Sequence, residues 1–295
     1  MKKNTKILLC LSALFIALGA LFMVGSLAFG VDPMCAFQSG MLDFKVQQKR
    51  TSEFSADGQY ALSEDGIDEL SIDWLDGSIE IEGYDGSEII LQESNTSGLN
   101  EDNSLMYTID NNTLNIVSAP SQAGLFLSNT GREAKNLHIY LPKNNEWKDI
   151  KIDAQDADIS INGMIAAAVK ADVVDGDLSL SKVDLGHLTF GSMEGSLTAK
   201  ASRIEQINAD TTSGGITASL INCPSSIQFD TMSGDTELYL PNDSQFVVQM
   251  DTFSGTLDTD FVGTYNEDCF TVGNGNSQFK ISTTNGSTAI HKITN

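Results

Sequence analysis

Between residues 70 and 291 the chain repeats one short pattern eight times: alternating apolar residues, a glycine-centred bend, and alternating apolar residues again. The copies are DWLDGSIEI from Asp73, DAQDADISI from Asp153, DVVDGDLSL from Asp172, GSMEGSLTA from Gly191, DTTSGGITA from Asp210, DTMSGDTEL from Asp230, DTFSGTLDT from Asp251 and STTNGSTAI from Ser282. The bend falls on Gly77, Ala157, Gly176, Gly195, Gly214, Gly234, Gly255 and Gly286, with steps of 19, 19, 19, 20 and 21 residues from Ala157 to Gly255. Seven residues before it stand Leu70, Ile150, Val169, Leu188, Ile207, Ile227, Val248 and Phe279. Five before it stand Ile72, Ile152, Ala171, Phe190, Ala209, Phe229, Met250 and Ile281, so all sixteen positions are apolar. Two and four residues after it the alternation resumes, as in Ile79/Ile81 and Ile159/Ile161.

A spacing of two within each arm is the period of a strand with one buried face, and a helix does not fit it. Each unit therefore reads as strand, tight turn, strand, with glycine where the chain reverses or kinks, because glycine alone takes positive φ without a Cβ penalty. One such unit cannot bury its own apolar face, whereas stacked units share a continuous core. The units are too short to hold helical crossovers. The predicted fold is all-β, a repeat-built β-solenoid of the parallel β-helix or β-roll kind with about eight units. An antiparallel β-sandwich with hairpins at the same bends is the alternative.

Two further segments read as β. SLMYTID-NN-TLNIVS is a hairpin candidate, since Asn111-Asn112 tolerates the left-handed conformation of a two-residue turn. IYLPKNNEW from Ile139 is echoed by LYLPNDSQF from Leu238. Residues 118–135 read as a long surface loop.

Ahead of the repeats, Lys2, Lys3 and Lys6 precede an uncharged run from Ile7 to Val31. As a helix this run is about 37 Å long, enough to cross a hydrocarbon core of about 30 Å. Ser26-Leu27-Ala28 resembles a signal-peptidase site, but the run exceeds the usual h-region of about 7–15 residues, which favours an uncleaved signal anchor. The positive flank places residues 1–6 in the cytoplasm. The expected organisation is 1–6 cytoplasmic, 7–31 transmembrane, 32–66 a juxtamembrane stalk and 67–295 an extracytoplasmic β-repeat domain in a single-pass cell-membrane protein. All 40 Asp and Glu, but 14 of the 17 Lys and Arg, follow residue 31, which leaves that part at −26. Such a charge repels nucleic acid and attracts cations and cationic peptides.

The Lys-rich start with one span, the lead-in LHIYLPKNNEWKDIKIDAQDADISI, and the iterated turns DTTSGG, DTMSGD, DTFSGT and STTNGS resemble a DUF4097-type family of bacterial envelope proteins known as "putative adhesins". The resemblance covers about residues 65–295. It implies an envelope-anchored β-solenoid without known catalytic residues, in a family with links to envelope stress. Ala157, in place of the turn glycine, and the unit from Gly191, without its Asp and Thr, depart from the pattern.

Chemistry is sparse. His138, His187 and His291 lack metal-ligand spacing, and G-x-S-x-G, P-loop and G-x-G-x-x-G motifs are missing. Cys223 and Cys269 could pair, but spacing alone does not decide it. Paired carboxylates such as Asp156/Asp158 and Asp175/Asp177 fit any acidic β protein as well as a glycosidase. No cofactor or metal ligand set is predicted. The sharper feature lies four residues before the bend: Asp73, Asp153, Asp172, Asp210, Asp230 and Asp251 recur in six of eight units. Stacked at about 4.8 Å they would repel one another unless compensated. Each carboxylate either accepts hydrogen bonds from its own turn or belongs to an acidic ladder, with Asp153, Asp172, Asp210, Asp230 and Asp251 as candidate ligands for cations, cationic peptides or envelope components. The adjacent column, Thr211, Thr231, Thr252 and Thr283, reads as a structural ladder. The expected function is a non-enzymatic, membrane-anchored binding or scaffold module of the envelope, adhesin-like. The alternative is a carbohydrate-active solenoid enzyme acting on envelope or host polysaccharide.

Overall fold

The structure, a computed structural model, describes residues 52, 54–101, 103–118, 134–266 and 269–293. The span expected at 7–31 and nearly all of the loop expected at 118–135 lie outside the described residues. Among the described residues no helix is long and apolar enough to cross a membrane.

The alternating segments form strands throughout. β1 (Gln59–Ser63), β2 (Glu69–Tyr84), β3 (Glu88–Asn95), β4 (Met106–Asp110), β5 (Thr113–Val117) and β6 (Lys135–Pro142) build one end. The middle holds β7 (Trp147–Asn162), β8 (Ile165–Asp175), β9 (Leu178–Ser181), β10 (Asp184–Glu194), β11 (Leu197–Ser213) and β12 (Ile216–Leu220). The other end holds β13 (Ser226–Ser233), β14 (Thr236–Leu240), β15 (Phe246–Ser254), β16 (Leu257–Thr259), β17 (Thr264–Asn266), β18 (Cys269–Thr271), β19 (Ser277–Asn285) and β20 (Thr288–Lys292).

Neighbouring repeats pair in parallel and in the register of the sequence alignment: Leu70 opposite Ile150, Ile150 opposite Val169, Val169 opposite Leu188, Leu188 opposite Ile207. This is a β-solenoid, and the antiparallel sandwich is excluded. The bend kinks the chain and does not reverse it. β2 and β7 run through it unbroken, and the later units leave the strand for two residues, as at Gly176-Asp177. Each unit is thus one rung with two arms, and the arms on either side of the corner stack into two sheets around a shared core. Of the sixteen apolar positions before the bend, fifteen are buried. Met250 is the exception: on its outermost rung β18 covers Val247, Val248 and Gln249 and stops short of it. Along one column Ala171, Phe190, Ala209 and Phe229 succeed one another, all buried, so large rings alternate with methyls.

Glycine is required at the corner chiefly by contact between rungs. A Cβ on Gly176, Gly195, Gly214, Gly234, Gly286 or Gly255 would lie 1.8–2.2 Å from the carbonyl oxygen of the corner residue in the adjacent rung. Positive φ adds to this at Gly77, Gly176, Gly214 and Gly234. A second corner lies six residues on, where Gly163, Lys182 and Ala201 take φ of 66, 54 and 48°.

The order of rungs in space departs from chain order at both ends. β5 and β6 form a ninth rung that the repeat alignment misses: β5 pairs with the first arm of β2 (Leu70 opposite Leu114) and β6 with its second arm (Ile79 opposite Leu137). Its corner, where three residues separate Asp73 from Gly77, is opened between Val117 and Lys135. β2 therefore lies between this rung and β7. At the far end the last unit in sequence, β19–β20, inserts between β13–β14 and β15–β16.

Antiparallel strands close the ends. β4 pairs with β5 through the expected hairpin, with Asn111 at φ 55°. β3 covers β6, and β1 covers β3. β1 falls within the segment expected as stalk, so the folded body begins ahead of residue 67. Its two inward side chains, Tyr60 and Leu62, are too few to announce a strand. At the other end β18 pairs with β15, and β17 with β18. Beneath the opened corner Lys135 Nζ bonds Glu93 Oε1 at 2.8 Å and the Asn103 carbonyl at 2.9 Å. Glu93 Oε2 accepts from Leu105 N–H at 2.7 Å, and Trp74 Nε1 donates to the Lys135 carbonyl at 3.1 Å. Both charges of this buried pair are hydrogen-bonded, which offsets much of their desolvation cost.

Candidate binding face

The column four residues before the corner is continuous. Register places Asp73, Asp153, Asp172, Gly191, Asp210, Asp230, Ser282 and Asp251 in succession across eight rungs. Its two halves differ electrostatically. Lys151 Nζ lies 2.5 Å from Asp153, and Lys170 Nζ lies 2.5 Å from Asp172, each from two residues earlier on the same face. Asp73 has Ser71 at that place, and burial, reinforced by the charge of Asp153, pushes its carboxyl above the usual range. At Asp210, Asp230 and Asp251 the corresponding residues are Asn208, Gln228 and Gln249. Gln228 Nε2 donates to Asp230 at 2.9 Å. Among the described residues no lysine or arginine forms a salt bridge with these three carboxylates.

Capping of the turns, one of the two roles open to this column, is carried by another column. The residue just after the corner reaches to the next rung. Asp158 Oδ1 accepts from Asp177 N–H at 3.0 Å, Asp177 Oδ1 from Ser196 N–H at 2.7 Å, and Ser196 Oγ from Gly215 N–H at 3.2 Å. Past the side-chain gap at Gly215 the pattern resumes, with Asp235 Oδ1 accepting from Ser287 N–H at 2.8 Å and Ser287 Oγ from Thr256 N–H at 3.3 Å. The Asp, Ser or Thr that follows seven of the eight bend positions is the sequence signal for it. The threonine column behaves as a ladder: Thr211, Thr231 and Thr283 are buried, and Thr211 Oγ1 donates to Thr231 Oγ1 at 3.1 Å.

A second outward column is apolar. Two residues before the corner, where strand alternation calls for polar side chains, stand Val174 (50% exposed), Met193 (60%), Met232 (59%) and Phe253 (90%). The histidines occupy separate places. His187 Nε2 meets Thr189 Oγ1 at 3.1 Å, His291 Nδ1 meets Asp260 at 3.1 Å, and His138 stacks on Tyr140 with Glu80 and Glu82 3.5–3.6 Å away. Cys223 and Cys269 are free thiols. Among the described residues no three His, Cys, Asp or Glu side chains are grouped so as to hold a metal ion.

The family model for Toastrack DUF4097 matches residues 67–220 and again 204–291. Solved structures with a similar chain path include a "putative cell adhesion protein" from Clostridium sporogenes ATCC 15579, at 13% identity, 80% of this chain, 99% of that one and a TM-score of 0.35. A "putative adhesin" from Bacteroides fragilis NCTC 9343 has 13% identity, 80% and 95% coverage and a TM-score of 0.40. A "putative lipid binding protein" from Parabacteroides distasonis ATCC 8503 has 12% identity, 80% and 96% coverage and a TM-score of 0.42. Similarity this distant carries no functional argument. No curated protein matches the sequence.

Proposed function

The chain belongs to the Toastrack DUF4097 family, and from that premise we propose that it is a non-enzymatic binding or scaffold module of the bacterial envelope, anchored through residues 7–31 with the solenoid outside. One observation carries the binding reading: the stacked rungs hold outward side chains in register, so that a carboxylate column runs along one face of the stack. A β-solenoid displays such columns without rearrangement, and a preorganised surface loses little entropy on binding. Lys2, Lys3 and Lys6 directly before the apolar run, with no Lys or Arg after it until Lys45, support the orientation.

The test pairs the full chain with a variant lacking residues 7–31, both tagged at the C-terminus, in intact bacterial cells. The full chain is expected in the membrane fraction with its tag removed by external protease, and the variant is expected to lose the membrane association. A tag cleaved only after lysis sinks the outward orientation. Incubating the full chain with envelope polysaccharide is expected to release no new reducing ends; their release would replace the binding reading with carbohydrate-active catalysis.

A further inference from the structure

We propose that the apolar corner column from Val174 to Phe253 docks a basic amphipathic helix of a partner polypeptide, an inference that rests on the binding reading above and names the partner's chemistry. In register the column is Val174, Met193, Thr212, Met232, Thr284 and Phe253, one residue per rung. At about 4.8 Å per rung it is roughly 24 Å long. No charge interrupts it, and its two threonines add methyl groups. Single exposed apolar residues are ordinary on a protein surface, but here four large ones share one column.

Carboxylates frame the stripe. Two residues back stand Asp172, Asp210, Asp230 and Asp251; on the corner side, at the end nearer Val174, stand the exposed Asp175 and Glu194. Asp172 is compensated by Lys170, and Lys280 stands one outward column beyond the aspartates on the rung of Thr284. The side next to Met232 and Phe253 is therefore an apolar strip bordered by Asp210, Asp230 and Asp251. A second copy of this chain would bring the same carboxylates face to face, which costs free energy.

The column also selects a helix over a strand. It crosses the strands, so an extended segment lying along it finds no sheet edge to hydrogen-bond. A helix on the same line rises about 5.4 Å per turn against about 4.8 Å per rung, so its apolar stripe keeps step with Met193, Met232 and Phe253, and its flanking Lys and Arg reach the aspartates.

The probe is a short synthetic amphipathic helix of leucine and lysine. A scrambled peptide of the same composition, incapable of an apolar face, serves as control. Both are titrated against the full chain by fluorescence anisotropy at several salt concentrations. The amphipathic peptide is expected to bind at least about tenfold more tightly than the scrambled one. Met232→Ser with Phe253→Ser is expected to remove that preference at unchanged melting temperature, since both side chains already face solvent. Asp210→Asn, Asp230→Asn and Asp251→Asn together are expected to weaken binding and flatten its salt dependence. Equal binding of the two peptides, or unchanged affinity in the serine variant, overturns the proposal. So does concentration-dependent dimerisation of the full chain that the serine variant abolishes, because it assigns the stripe to a second copy. Each of these failures leaves the anchored, outward module intact, since protease access decides that separately.

Discussion

At Gly195 and Ala201, six residues apart, the backbone makes opposite demands. A Cβ at Gly195 would stand 2.0 Å from the Gly176 carbonyl oxygen, and neither atom can yield without parting two rungs. Ala201 already carries a Cβ at φ 48°, where a non-glycine residue is disfavoured by about 1–2 kcal/mol. Gly195→Ala is therefore expected to cost at least about 1–3 kcal/mol, as overpacking does. Ala201→Gly is expected to stabilise by less than about 1 kcal/mol, because the extra freedom of glycine in the unfolded chain offsets part of the relief. Thermal melts of the full chain should shift in opposite directions. A neutral Gly195→Ala result would mean that the corners are not in close contact.

At the scale of the element, the acidic column is a parallel ladder with unequal compensation. Asp73 holds its proton more tightly in the folded chain than in the unfolded one, through burial first and the Asp153 charge second. Its contribution to stability is consequently greatest in acid and declines as pH rises through that raised range; at neutral pH its charge opposes folding. Asp73→Asn should stabilise the chain at pH 7 by roughly 0.2–1 kcal/mol, the scale of a like-charge cross-strand pair. The gain should vanish below about pH 3, where the carboxyl is neutral in both states. Urea denaturation at the two pH values checks the sign, and a gain that persists in acid would point to packing instead of charge. The sequence announces this ladder, because alternation fixes which residues share a face and the repeat fixes which are neighbours. It does not announce Lys151 and Lys170 as partners for two of its members, since their column is otherwise uncharged until Lys280. The Val174–Phe253 stripe stands in plain view within the aligned motifs, but a residue beside a bend glycine reads as part of the turn.

For the molecule as a whole, the first and last rungs in sequence both lie one layer inside the ends of the stack. No repeat pattern could reveal this, because every rung presents the same alternation, and alternation alone does not distinguish one neighbour from another. The ninth rung stayed hidden because its arms, β5 and β6, are interrupted at the corner. Solenoid termini ordinarily fray, whereas here β19 is hydrogen-bonded on both sides, to β13 and to β15. In native-state hydrogen exchange the amides of Phe279 and Ile281 should be protected to the same degree as that of Ile207 in the middle of the stack. Exchange at the rate of a frayed end would refute the insertion of the last rung. The opened corner of the ninth rung has a different implication. The chain departs after Val117 and resumes at Lys135 while both arms keep their pairing with β2. The end rung thus keeps both arms in register although the chain leaves and re-enters at its bend, so that this corner works as a port through which a segment can be let out without unzipping the ladder beside it.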